Sequence, residues 1–101
     1  MKKFLAQVDP DLFDLIPGFL QHKRDDTHAI LLGIAGEPID FEELSRIGHK
    51  LKGEGGSYGL EPISIYGAGI ELAARSRDAA AVSRYAHELA AYLDSLLNED
   101  E

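Results

Sequence analysis

The residue with the clearest chemical capacity is His49, in the stretch Arg46-Ile-Gly-His-Lys-Leu-Lys-Gly-Glu-Gly-Gly-Ser-Tyr-Gly59. Leu44, Ile47 and Leu51 recur at i, i+3 and i+7 and define a core stripe, so His49, two residues from both Ile47 and Leu51, is turned off that stripe toward solvent. Its helical neighbours are Ser45 and Arg46 on one side, Lys52 and Gly53 on the other. Histidine side chains titrate near about 6.5, so an exposed one offers a neutral nitrogen nucleophile near pH 7. Arg46, Lys50 and Lys52 lie within four residues of it, a local charge opposite in sign to the net −8 of the chain. A charge cluster on a helix is ordinarily a solvated face. Its coincidence with an exposed histidine favours a site for an anion.

Glycine in a helix interior costs about 1 kcal/mol relative to alanine, so Gly48, Gly53 and Gly55 or Gly56 together oppose this helix by roughly 2–4 kcal/mol. Against the ~5–15 kcal/mol that stabilises a small domain, this calls for a reason. Close helix packing accounts for glycines on the stripe side. Gly53 and Gly56, however, stand four and seven residues after His49, on its own face. Clearance for a group approaching the imidazole explains them better.

No Walker-type nucleotide loop, no His-Glu-x-x-His pair and no nucleophile–base pair of recognisable spacing accompanies the histidine. A helical metal site built from His22, His28, His49 and His87 is one rival reading. It lacks the Glu-x-x-His spacing of di-iron bundles, and His22 and His28, spaced six apart, do not fall on one helical face. A second rival is a helical docking module whose histidine is chemically idle.

The run His49-Lys-Leu-Lys52-Gly53, followed by small residues and Gly59, resembles the His-x-x-Lys-Gly motif of histidine-containing phosphotransfer (HPt) domains, which carry phosphoryl groups in two-component phosphorelays. Ile70-Glu-Leu-Ala-Ala-Arg75-Ser-Arg-Asp78 and the alanine-rich segment after it look like the closing helix pair of that family, and the likeness runs from about Asp9 to Leu97. It implies that Nε2 of His49 accepts the phosphoryl group from an aspartyl-phosphate on a receiver domain and passes it to another. Lys52 would stabilise charge on the phosphoryl oxygens, with Arg46 or Lys50 adding to the field, while Gly53 and Gly56 leave room. A polar side chain 22 positions after the histidine holds the imidazole in the family, and here that position is Glu71. A solvated surface glutamate is the competing reading, and both stay open. Glu54 departs from the family, which usually has a small residue there. The resemblance implies a carrier without kinase activity of its own and no cofactor on this chain, Mg²⁺ being expected on the receiver. The implied partners are response-regulator receiver domains, with a hybrid histidine kinase as a further candidate.

These residues need helices to position them. Asp9 as N-cap, Pro10 at N1 and staple-spaced Val8 and Phe13 start a short first helix, after which Pro17 interrupts or kinks the pattern. From Gly18 to about Ala35 the positions Leu20, Thr27, Ile30, Leu31 and Ile34 fall on one side, and His22, Lys23, Asp25 and Asp26 on the other. Gly36 and Pro38 close that helix. Asp40, Glu43 and staple-spaced Ile39 and Leu44 open the helix that carries His49. With His49 about two turns from either end, the helix macrodipole does not serve it. Pro62 starts the next helix, with Leu60 and Ile65 staple-spaced and Ile63, Tyr66, Ile70 and Ala73 as its buried stripe. Gly67, Ala68 and Gly69 permit a close neighbour. Asp78 caps the last, whose stripe is Val82, Tyr85, Leu89, Tyr92 or Leu93, and Leu96, with His87 on the solvated side. Strand patterns are absent. The expected fold is all-α: an antiparallel four-helix bundle with a short additional N-terminal helix, in a single domain over residues 1–101 with its core at about 9–97 and a frayed acidic tail at 98–101.

Ten basic residues in a chain of charge −8 argue against nucleic acid, whose phosphates need a basic contact face. The chain has no cysteine, which removes disulfides and thiolate metal sites. No apolar run reaches the ~20 residues of a membrane span, and Asp9, Asp11 and Asp14 interrupt the apolar segment a signal peptide would need after Met1-Lys-Lys. A cytoplasmic protein is expected. The exposed face beside His49 is expected to present Phe19, His22, Lys23, Asp26 and Lys50 to a partner. No long heptad seam or second apolar face is obvious, so a monomer is the default.

Overall fold

The computed structural model describes residues 5–6 and 8–98; the tail beyond Asn98 and the Met1–Phe4 start lie outside the described residues. A 3-10 helix (Pro10–Leu15) leads into α1 (Ile16–Ala35), followed by α2 (Phe41–Ser57), α3 (Glu61–Arg75) and α4 (Ala79–Leu97). Asp9 starts the 3-10 turn by accepting from the amide of Asp11 at 2.9 Å, and Pro17 falls in the first turn of α1, where its missing N–H costs nothing. The short additional N-terminal helix is therefore a 3-10 segment joined directly to α1. The connections between α1, α2, α3 and α4 are short, which folds each helix back along the one before it. Among the described residues every regular element is helical, and no helix is long and apolar enough to cross a membrane.

Asp40 caps α2 by accepting from the Glu43 amide at 3.0 Å. The reciprocal half of the expected capping box is replaced: Glu43 places both carboxylate oxygens on Arg46, at 2.8 and 2.7 Å. Asp78 caps α4 through the Ala81 amide at 3.0 Å. The staple expected between Leu60 and Ile65 does not form, because Leu60 is fully buried while Ile65 is 61% exposed. The buried stripe of α3 runs through Ile63, Gly67, Ile70 and Ala74, and Ile65 lies about 200° around the helix from Ile63.

The core joins Leu20 and Ile30 of α1, Leu51 of α2, Ile63 and Ile70 of α3, and Val82, Leu89 and Leu93 of α4. Leu93 takes the inner place on α4, and Tyr92 is partly buried beside it. The closest packing is between α2 and α3, and glycines permit it. A Cβ on Gly48 would stand 2.7 Å from the Glu71 amide nitrogen, one on Gly55 2.4 Å from that of Ser64, and one on Gly67 2.5 Å from that of Lys52. These are backbone atoms, which cannot turn aside as side chains do. At these positions glycine is what allows the two backbones to meet.

Candidate functional site

His49 projects from the middle of α2 with its side chain 71% exposed, as its place off the core stripe requires. One ring edge is held. Nδ1 stands 2.9 Å from Oε2 of Glu71, whose own side chain is only 7% exposed. Of the two readings of Glu71, the structure selects the one in which it meets the imidazole. The close α2–α3 packing at Gly48 makes that reach possible, because Gly48 lies against the backbone of Glu71 itself.

A carboxylate only accepts hydrogen bonds, so in the neutral ring this contact puts the proton on Nδ1 and leaves the lone pair on Nε2, at the opposite side of the exposed ring. Glu71 is itself anchored. Its Oε2 accepts from Arg75 at 3.0 Å, and its Oε1 lies 3.8 Å from the ammonium of Lys52. Among the described residues no buried side-chain nitrogen or oxygen lacks a partner. Arg75 is a member of this group that the sequence reading passed over; its signal was the i, i+4 spacing from Glu71.

On one side of His49 an open cleft of about 600 Å³ is lined by Phe41, Ser45, Arg46, Glu71, Arg75 and Arg77, among others. Arg46 reaches its rim but is bound to Glu43. That hydrogen bond, more than the charge, raises the Arg46 pKa and lowers that of Glu43. Arg77 takes a left-handed backbone, φ 55°, and sets its guanidinium over the Phe41 ring at 5.7 Å. Following His49 along α2, Gly53 and Gly56 have no atom within 4 Å of where a Cβ would stand. The helix surface at both positions is open.

The expected contact residues divide. His22, Lys50 and Lys52 are exposed and Asp26 partly so. Phe19 and Lys23 are not: they are 7% and 2% exposed, and this corrects their assignment to a presented surface. Phe19 stacks on Tyr58 with ring centroids 3.8 Å apart, joining α1 to the end of α2. Lys23 turns inward to a hydrogen bond with Asp26 at 2.7 Å and another with Glu54. Asp26 also faces Lys50 across the helices at 3.5 Å. Burial by itself pulls the Lys23 pKa down, but the hydrogen bonds and charges of Asp26 and Glu54 outweigh it, and the net shift is upward. Glu54, the residue that departs from the resemblance, thus neutralises a buried ammonium. His28 and His87 lie apart on exposed faces, and among the described residues no cluster of three or more His, Asp or Glu side chains is arranged to hold a metal ion.

A helical bundle that exposes the His49 imidazole in mid-helix and braces its Nδ1 on a buried carboxylate, with open surface beyond it, suits a phosphohistidine carrier. The family model of the Hpt domain matches residues 6–99, nearly the whole chain, and the protein belongs to that family. Hpt domains have a phosphotransfer role in two-component phosphorelays, in which they interact with receiver domains and histidine kinases. Neither the curated proteins nor the solved structures gave a match to the chain.

Proposed function

We propose that His49 takes a phosphoryl group from the aspartyl-phosphate of one receiver domain and delivers it to the aspartate of another, in the cytoplasm. The observation that carries this reading is the 2.9 Å contact between Nδ1 and the buried Glu71 carboxylate on a ring that is otherwise open to solvent. The Nε2 lone pair attacks phosphorus, the P–O bond to the donor aspartate breaks, and its electron pair leaves on that carboxylate. With phosphorus on Nε2 and the proton still on Nδ1, the ring is cationic. Glu71, already in place, neutralises it without reorganising, and delivery to the next aspartate reverses the sequence.

Lys52, 51% exposed and tethered loosely at 3.8 Å to Glu71, has the freedom to reach phosphoryl oxygens as a mobile point charge. Arg46 and Lys50 add positive potential. Gly53 and Gly56 admit the receiver, whose Mg²⁺ neutralises the acyl phosphate. The neighbouring surface, with exposed Leu15 at the end of the 3-10 helix and Gly18 and His22 of α1 around a depression of about 390 Å³ that reaches Tyr58, extends the docking face.

The test is phosphoryl transfer from a panel of phosphorylated receivers to the wild type and to His49→Gln. Acid-labile label on the wild type and none on the variant is expected. Binding of a receiver with no label passing from any of them would sink the carrier role and leave a docking module with an idle histidine.

A further inference from the structure

Two large apolar side chains of α3 have no cover in the single chain: Ile65 is 61% and Leu72 68% exposed. With partly buried Ala68 between them, they alternate at intervals of three and four residues, and Glu61 and Arg75 continue the spacing at either end. The five positions fall within about 80° of arc on the helix. A 3.5-residue seam is the spacing with which one helix packs along another. It is separate from the set of positions, Ile63, Gly67, Ile70 and Ala74, that α3 buries within its own bundle.

Beside the seam lies a groove of about 230 Å³ between α3 and α4. On the α3 side it is lined by Gly69, Leu72, Ala73 and the C-cap Ser76, at i, i+3, i+4 and i+7. Four residues so spaced form the hole that accepts one side-chain knob from a facing helix. Gly69 makes room for the α4 wall, where the Tyr85 ring comes within 2.9 Å of where a Cβ would stand.

We propose that this face binds a second copy of the chain, α3 against antiparallel α3, about a twofold axis near Ala68 and Gly69. Reversing the seam lays Ile65 over Leu72 and Glu61 over Arg75, so the apolar centre meets itself and the acidic end meets the basic one. That self-complementarity is what an isologous contact requires, and a site for an unrelated protein has no reason to read alike in both directions. Parallel pairing would set Glu61 against Glu61 and Arg75 against Arg75. Small residues at the crossing let the backbones approach, and Ile65 of each copy fills the hole beside Leu72 of the other. Arg75 keeps donors for Glu61 of the second copy because its side chain, though bonded to Glu71, is 66% exposed. The seam is short, so the dimer is weak and forms with rising concentration. This departs from the monomer expected of the sequence, and it does not depend on the phosphotransfer reading, since its readout is mass.

Sedimentation equilibrium from low micromolar to millimolar concentration should show the average mass climb from 11.1 kDa toward twice that value. Leu72→Glu and Ile65→Glu, both at exposed helical positions, should hold it at the single-chain mass. In this cysteine-free chain, Ala68→Cys near the axis should oxidise to a covalent dimer far faster than Gln21→Cys on the exposed side of α1. A wild type that stays at the single-chain mass, with Ala68→Cys and Gln21→Cys linking equally slowly, overturns the proposal. So does a dimer that survives both glutamate variants, or a monomer in which Leu72→Glu instead abolishes receiver binding and so gives the face to another protein.

Discussion

Replacing Glu71 by glutamine tests the core of the proposed chemistry, because it keeps the shape of the side chain and removes what the carboxylate does. A carboxylate accepts only, so it admits one tautomer of His49. An amide accepts through its oxygen or donates through its nitrogen, and the second arrangement moves the ring proton to Nε2, where it blocks attack. The variant also loses the negative charge that faces the cationic phosphorylated ring. A hydrogen bond to a charged group contributes about 1.5–3 kcal/mol and a neutral one about 0.5–1.5. At 2.9 Å the present contact is a good one, but the ring is 71% exposed and water screens the charge, so a difference of about 1–2 kcal/mol is expected in the transition state. That corresponds to a transfer rate lower by about 5–30-fold.

Stability should respond differently. The partners of Glu71, His49, Arg75 and Lys52, are 71%, 66% and 51% exposed, so the variant strands no buried charge, and unfolding in urea should shift by less than about 1 kcal/mol. The assays are single-turnover transfer from a labelled receiver, urea titration, and nitrogen NMR of the ring, which should show the Nδ1–H tautomer in the wild type and a mixture in the variant. Transfer within about twofold of wild type, in a protein whose tautomer has become mixed, would refute the reasoning.

Gly53→Ala should stabilise the fold by up to about 1 kcal/mol, a rise of roughly 4–8 °C in Tm, while slowing transfer by crowding the receiver. Equal transfer would show that the open space is not used. Gly48→Ala should do harm on both counts, because its Cβ meets the backbone of Glu71 at 2.7 Å; a loss of about 1–3 kcal/mol in urea and slower transfer are expected, and an unchanged Tm would contradict the packing. The raised pKa of Lys23 means that its ion pairs stabilise fully below the ordinary lysine value of 10.5 and lose that contribution as pH climbs through the raised value. Wild-type Tm should therefore fall in that alkaline range more steeply than the Tm of Lys23→Met; parallel curves would remove the pair from the stability of the fold. At neutral pH Lys23→Met should be less stable by about 1–2 kcal/mol, less than for a fully buried pair because Asp26 and Glu54 remain 25% and 36% exposed.

The helices and the exposed place of His49 were legible because each had a local signal. Asp40 and Asp78 cap where their positions before apolar periods require, and His49 is exposed because Ile47 and Leu51 take the inner positions. Lys23 was misplaced by its residue type. Its position completes the buried spacing Ile16, Leu20, Lys23, Thr27, Ile30, but an ammonium reads as a surface group unless its counter-ion is known, and Glu54 lies 31 residues away. Ile65 erred the other way, since spacing from Leu60 says nothing of which helix stands opposite. Glu71 could be placed only by an interhelical distance, and that distance depends on Gly48 and Gly67, whose need for glycine is visible only once α2 and α3 are side by side.

The glycines of α2 thus serve two opposite ends. Gly48 and Gly55 remove side chains so that protein backbone fills the space, and the consequence is a carboxylate of α3 brought to Nδ1 without leaving the interior. Gly53 and Gly56 remove side chains so that nothing of this chain fills the space. The first pair lets α3 come close enough for Glu71 to meet Nδ1, and the second leaves the helix surface beyond the ring open. An α2 with alanine throughout would be the better isolated helix and the poorer carrier: α3 would be pushed back, Glu71 would lose its hold on the ring, and the partner's path would narrow. The helix propensity given up, roughly 1 kcal/mol per glycine, is therefore a cost set by the position of one imidazole.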